Sequence, residues 1–101
     1  MKNFNELNTR VLNWAEEKGI FEKGNPFTQM SKTMEEVVET ANAIIANDMP
    51  EIKDGFGDIL VTVLIGCKMQ NLDPLDCLET ALDIIEKRTG KMVDGTFVKD
   101  K

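Results

Sequence analysis

Apolar residues near the start of the chain fall at Phe4, Leu7, Val11 and Trp14, three or four positions apart, with polar residues between them. That spacing makes one stripe on an α-helix and predicts a first helix over residues 3–18, stopped by Gly19. A connector over residues 20–27 contains Gly24, Asn25 and Pro26. The stripe resumes with Met30, Met34, Val37, Val38, Ala41, Ile44 and Ile45, which predicts a second helix over 28–47. Pro50 suits a first helical position and opens a third helix over 50–71. Asp73-Pro74 repeats the device, cap then first-turn proline, for a fourth helix that runs to about residue 89 and ends at Gly90. Short loops between helices two, three and four predict antiparallel packing. In the tail, Asp94-Gly95 stands between the β-formers Met92-Val93 and Thr96-Phe97-Val98. This predicts a type I′ hairpin or an extended arm docked on a neighbour, with a frayed end as the other reading. The fold class is all-α: an antiparallel bundle of about four helices with a short C-terminal hairpin or arm.

The third helix changes this picture. Phe56, Ile59, Leu60, Val61, Val63, Leu64 and Ile65 make it apolar on nearly every side, the mark of a buried helix. One core of 101 residues does not easily cover so much apolar surface, so a homodimer or homotetramer is expected to complete the bundle.

Composition narrows the chemistry. The length suits a single domain over 1–101, and 42% hydrophobic with 30% charged residues describes a globular protein. Asp and Glu number 18 against 12 Lys and Arg, which argues against a nucleic-acid polymer as partner. The longest apolar run, 59–65, is interrupted by Thr62 and is far short of a membrane span. The N-terminus has no apolar signal region, so a cytoplasmic protein without membrane contact is expected. Two cysteines, Cys67 and Cys77, make no disulfide framework. A helical hairpin would bring them together, but two reduced, packed thiols are the expectation in a reducing compartment. Histidine and tyrosine are absent and Ser31 is the only serine. That excludes a Ser-His-Asp triad, a Cys-His pair and a histidine-bound zinc. Acid–base or metal chemistry must fall to carboxylates, lysines and bound water.

The carboxylates are patterned. Along Glu35-Glu36-Val37-Val38-Glu39, Glu35 and Glu39 lie about 40° apart around the helix and Glu36 about 60° beyond Glu39, with Lys32 between them. This group stands roughly opposite the apolar stripe. Like charges at this spacing oppose helix formation; a divalent cation relieves them, and hard cations such as Mg²⁺ prefer carboxylate oxygens. On the next helix Asp54 and Asp58 are four apart, with Glu51 on the same side. A tight turn between the helices lets the two acidic faces converge. Gly55 and Gly57 flank Phe56 there and suggest close approach by a helix or a ligand. A cluster of this kind suits metal-assisted attack of water on a phosphoanhydride. A solvated acidic face is the other reading of the same residues.

Taken together, Glu35-Glu36-x-x-Glu39 and Asp54-Gly-Phe-Gly-Asp58-Ile-Leu-Val resemble the MazG-like all-α NTP pyrophosphohydrolases. The resemblance extends to Trp14-Ala-Glu-Glu-Lys18-Gly-Ile20, to Gln29 and Lys32, and to the closing segment from Lys87-Arg88 through Lys99 that small phage and bacterial members carry. It implies Mg²⁺-dependent hydrolysis of nucleoside triphosphates to monophosphate and pyrophosphate, with Mn²⁺ as an alternative cation, in a homo-oligomer. It also implies that Glu35, Glu36, Glu39 and Asp58, together with Asp54, hold the metal and activate water. Lys32 would hold phosphate. The usual second motif, E-x-x-D, places a glutamate three before Asp58, where this chain has Gly55. Asp54 then substitutes from one residue earlier, or a ligand is lost.

Further candidates are weaker. Trp14 stacks on a base or packs in the core with the Phe4-Leu7-Val11 stripe. Asn13 beside it can read a base edge. Lys87 and Arg88 reach nucleotide phosphates or complement the dipole of the last helix. The alternative function is a non-catalytic helical binding or regulatory protein that keeps the scaffold, with or without the metal site. An acidic module without metal is a third reading.

Overall fold

The computed structural model describes residues 2–101. Asn3 opens helix α1 (Phe4–Glu17), its side-chain oxygen accepting from the Glu6 N–H at 3.2 Å. Gly19, at φ 75°, turns the chain into a single helical turn, α2 (Ile20–Lys23), inside the expected connector. Helix α3 (Pro26–Ile45) then begins two residues earlier than expected. Asn25 and Thr28 form a reciprocal capping box, 2.9 and 3.1 Å, and Pro26 takes the first helical position, where a missing N–H costs nothing.

Helices α3 and α4 (Met49–Met69) end alike. Asn47 and Asn71 both sit in the left-handed region at φ 56°. Behind them the Asp48 N–H reaches Ala43 O at 3.1 Å and the Leu72 N–H reaches Cys67 O at 2.9 Å, which is the Schellman closure. Asp48 and Asp73 then cap α4 and α5 (Pro74–Ile85), accepting from the N–H groups of Glu51 and Leu75.

The last helix stops at Ile85 rather than near 89. The N–H groups of Lys87 and Arg88 turn back to Ile84 and Ile85, a tighter coil than an α-helix, and the chain swings out into a hairpin. Strands β1 (Gly90–Val93) and β2 (Thr96–Lys99) pair antiparallel with Met92 opposite Phe97. Asp94 and Gly95 both have positive φ, 50° and 82°, as the expected type I′ turn requires.

The interior departs from expectation. The α3 face turned to α4 is polar: Gln29, Glu36 and Thr40 are buried and Thr33 half-buried. Gln29 Nε2 donates to Thr62 O at 3.1 Å, and Thr33 and Thr62 hydroxyls meet at 2.9 Å. Met30, Met34, Val37, Val38, Ile44 and Ile45, expected as core, are exposed. Nor is α4 buried all round: Gly55, Thr62 and Ile65 are buried, while Phe56, Leu60 and Val63 are exposed. The physical reason lies at the crossing point. A Cβ on Gly55 would run into Thr40, meeting its Cβ at 3.0 Å, so small groups bring the two backbones together and set which faces meet. Gly57, by contrast, has open space around it. Of the two glycines, only Gly55 serves a close approach.

Candidate active site

Glu36 is the one buried carboxylate on α3, 8% exposed, because it lies on the face packed against α4. Lys32, one turn earlier, places Nζ 3.5 Å from Glu36 Oε1 and 3.9 Å from Glu35 Oε2. Glu35 first, then Glu36, and more weakly Glu39, raise the Lys32 pKa and hold it charged. The three glutamates therefore divide. Glu36 turns inward, while Glu35 and Glu39 line a shallow hollow on the outer side of α3 with Ser31, Met34 and Val38.

Across the seam, Asp58 is half-buried on α4. Its pKa is raised, first by burial, then by the neighbouring carboxylates of Asp54 and Glu36, both within hydrogen-bonding reach. Three carboxylates from two helices thus converge, with Lys32 paired to Glu36. Among the described residues no three Asp, Glu or Cys side chains are gathered closely enough to hold an ion as they stand. Gly55 does not belong to this group, since its position is occupied by the contact with Thr40.

Asp58 also stands at the rim of a groove of about 850 Å³ between α1 and α4. Phe4, Leu7, Val11 and Trp14 line one side, Leu60, Val61 and Leu64 the other. Trp14 is 48% exposed here, so the core role weighed for it is not what the fold gives it. Asn13 lines the groove as well, and so do Arg10 and Asn8. Arg10 is the one groove residue with a positive charge, and sequence reading missed it. Its spacing to Trp14, one helical turn, is the signal that was there to be used. Asn8 was missed too; its side-chain oxygen is buried without a hydrogen-bond partner. A second hollow, about 640 Å³ beside α2, also includes Asn13 but none of the clustered carboxylates.

Lys87 and Arg88 are not brought to this site. They lie in the turn between α5 and the exposed hairpin, and among the described residues the ion pairs are those of Lys32 alone. They also stand beyond the last turn of α5 rather than in it.

Comparison with known proteins bears on this arrangement. The MazG nucleotide pyrophosphohydrolase domain matches residues 25–92, from the cap of α3 into β1. An uncharacterized 18.2 kDa protein of the rep-hol intergenic region of Haemophilus phage HP1 (strain HP1c1) is 32% identical over 73 residues. The match spans 72% of this chain and 45% of that protein's length. In structure, the chain is similar to a cyanophage S-2L MazG-like pyrophosphohydrolase bound to dGDP and three catalytic Mn²⁺ ions per active site. The TM-score is 0.74 over all of both chains, at 19% identity, a likeness of fold. With two-thirds of its length, including every clustered carboxylate, inside the matched region, the chain belongs to the MazG nucleotide pyrophosphohydrolase domain family.

Proposed function

We propose that the protein hydrolyses nucleoside triphosphates, ribo- or deoxyribo-, to the monophosphate and pyrophosphate with a bound divalent cation, Mg²⁺ or Mn²⁺. The observation that carries this reading is the approach of Glu36 and Asp54 to Asp58, which itself lines an apolar groove that contains an exposed Trp14. Family membership supports it, as does the fold shared with the cyanophage enzyme.

The donor set fits the cation. Every candidate ligand is a hard carboxylate oxygen, and burial, then the neighbouring carboxylates of Asp54 and Glu36, raise the Asp58 pKa. Glu36, Asp54 and Asp58 would hold it, with Glu35 and Glu39 turning in from the outer side of α3. When bound, such a cation supplies Lewis acidity and lowers the pKa of water. The chain's own residues do the rest. A glutamate of α3 orients the attacking water and accepts its proton. Lys32, kept charged by its glutamates, holds phosphate oxygens. The base lies in the groove against the Trp14 face, with Asn13 at its edge.

We read residues 1–101 as one domain acting in the cytoplasm, where two free thiols suit a reducing environment. Among the described residues no helix is long and apolar enough to cross a membrane. We also read the working form as a homodimer or homotetramer. A compact monomer of this mass exposes about 5,800 Å². This chain exposes 8305 Å², and its radius of gyration is 16.0 Å against about 13 Å for a compact chain of this length. The excess is roughly 2,500 Å², the scale of an obligate interface rather than a transient one.

The test is pyrophosphate release from a panel of NTPs and dNTPs with Mg²⁺ or Mn²⁺, wild type beside Glu39→Gln. We expect pyrophosphate and monophosphate from the wild type and at least a hundredfold less from the variant. A second reading, a binding protein without turnover, draws on Gly55, where packing against Thr40 leaves no room for a carboxylate. It predicts nucleotide binding with no product from any member of the panel.

A further inference from the structure

The α4–α5 corner places the two cysteines on either side of one turn. The carbonyl of Cys67 accepts the N–H groups of Gln70 and Leu72, at 3.1 and 2.9 Å, and so closes α4. The next residue, Asp73, caps α5, and its carbonyl accepts the Cys77 N–H at 3.0 Å. Both cysteine backbones are thus pinned to the same four-residue corner, and α5 rises from it beside the end of α4. Both thiols are free and half-buried. They are neighbours: burial first, then the Cys77 thiol, then Asp73 push the Cys67 thiol above its ordinary range.

This corner is also where α5 is least secured. No residue of α5 is buried, and its apolar Leu75, Leu78, Leu82 and Ile85 are exposed. Within one chain, little besides the turn itself holds α5, and the arm that follows it, in place.

We propose that Cys67 and Cys77 form a reversible disulfide that clamps α5 to the end of α4, with a low-molecular-weight disulfide as oxidant. One cysteine thiolate attacks a sulfur of that disulfide, forming a mixed disulfide and releasing one small thiol. The second cysteine thiolate attacks the protein sulfur of the mixed disulfide, forming the Cys67–Cys77 bond and releasing the other. Two protein thiols are oxidised, one small disulfide is reduced to two thiols, and the two protons leave with them. In a reducing compartment such a bond is transient, as befits a response to oxidation rather than a structural staple. The proposal does not depend on the substrate reading.

The experiment treats the full chain with oxidised glutathione and reads the intact mass without reductant. The expected product has lost two hydrogens, carries no glutathione, and gives a peptide joining Cys67 to Cys77 on digestion. Its Tm rises by on the order of 5–10 °C and returns on adding dithiothreitol. Cys77→Ser is expected to take up one glutathione at Cys67 and to show no such rise. Should that variant fail to fold, the wild-type peptide map and Tm still decide the matter. Glutathione on both wild-type cysteines, a disulfide between two chains, or two unreacted thiols where the urea-unfolded chain reacts would overturn the proposal. A Cys67–Cys77 bond with no change in Tm would overturn the clamp.

Discussion

Asp58 is the carboxyl whose pKa the fold raises. Its folded pKa lies above the ordinary carboxylate value of 3.8, so between the two values the native state holds a proton that the unfolded state has lost. Stability in metal-free buffer therefore falls as pH rises through that window, and the penalty is fully present above it. Because Asp58 is only half-buried, the effect is small, a fraction of what full burial would give. Asp58→Asn is expected to leave the metal-free Tm at pH 7 equal to or slightly above wild type, and to abolish the Tm rise that Mn²⁺ or Mg²⁺ produces. In wild type that rise should weaken as pH drops through the raised value, since protons compete for the same oxygen. A thermal melt with and without cation at several pH values checks both statements. The pairing behind this was legible in the sequence, because i, i+4 spacing and a short turn suffice to bring Glu36 near Asp58. The division of Glu35 and Glu39 from Glu36 was not. It depends on which face of α3 meets α4, and the hydrophobic pattern pointed to the wrong one. Arg10 and Asn8 escaped notice because a polar residue beside an apolar stripe looks like ordinary helix surface until the groove is seen.

At the scale of elements, local chemistry was the reliable guide. Asparagine with positive φ, aspartate caps, first-turn prolines and the Asp94-Gly95 turn all act within a few residues, so their signals survive into the fold. The one-turn helix α2 was missed because four residues carry no periodicity. The end of α5 was overrun because Glu86-Lys87-Arg88 are good helix formers, although the chain tightens there and leaves the α-helix. Packing is a longer-range matter. The α3–α4 seam is built from Gln29, Thr33, Thr40, Gly55 and Thr62, so its closeness rests on a missing side chain. Gly55→Ala is expected to cost about 1–3 kcal/mol, since Thr40 stands where the methyl must go. Read as Tm, that is a fall of at least about 4 °C. Trimming Thr40 to Ala in the same chain should recover part of the loss. Equal Tm values for the three proteins would show that the helices cross elsewhere.

For the whole molecule, the outward apolar faces of α3, α4 and α5 argue for assembly more directly than the sequence did. The sequence predicted surplus apolar surface on one helix; the fold leaves it on three. Light scattering coupled to size exclusion should give a mass at least twice the 11.4 kDa of the chain. Phe56→Glu, a charge on the exposed side of α4, is expected to shift that mass toward the single chain and to lower Tm.

Among the described residues, only Ala15 and Ile65 of the apolar side chains are fully enclosed within one chain. So little full enclosure offsets only part of the entropy of ordering a hundred residues, and on the oligomeric reading proposed above folding and association are one event governed by mass action. Its melting temperature then belongs to a solution rather than to a molecule, rising with protein concentration and falling on dilution. A cell making few copies would keep most of them unfolded and within reach of proteases, and one making many would cross into the folded state steeply. Gene dosage would act on such a chain as an effector does on an allosteric enzyme.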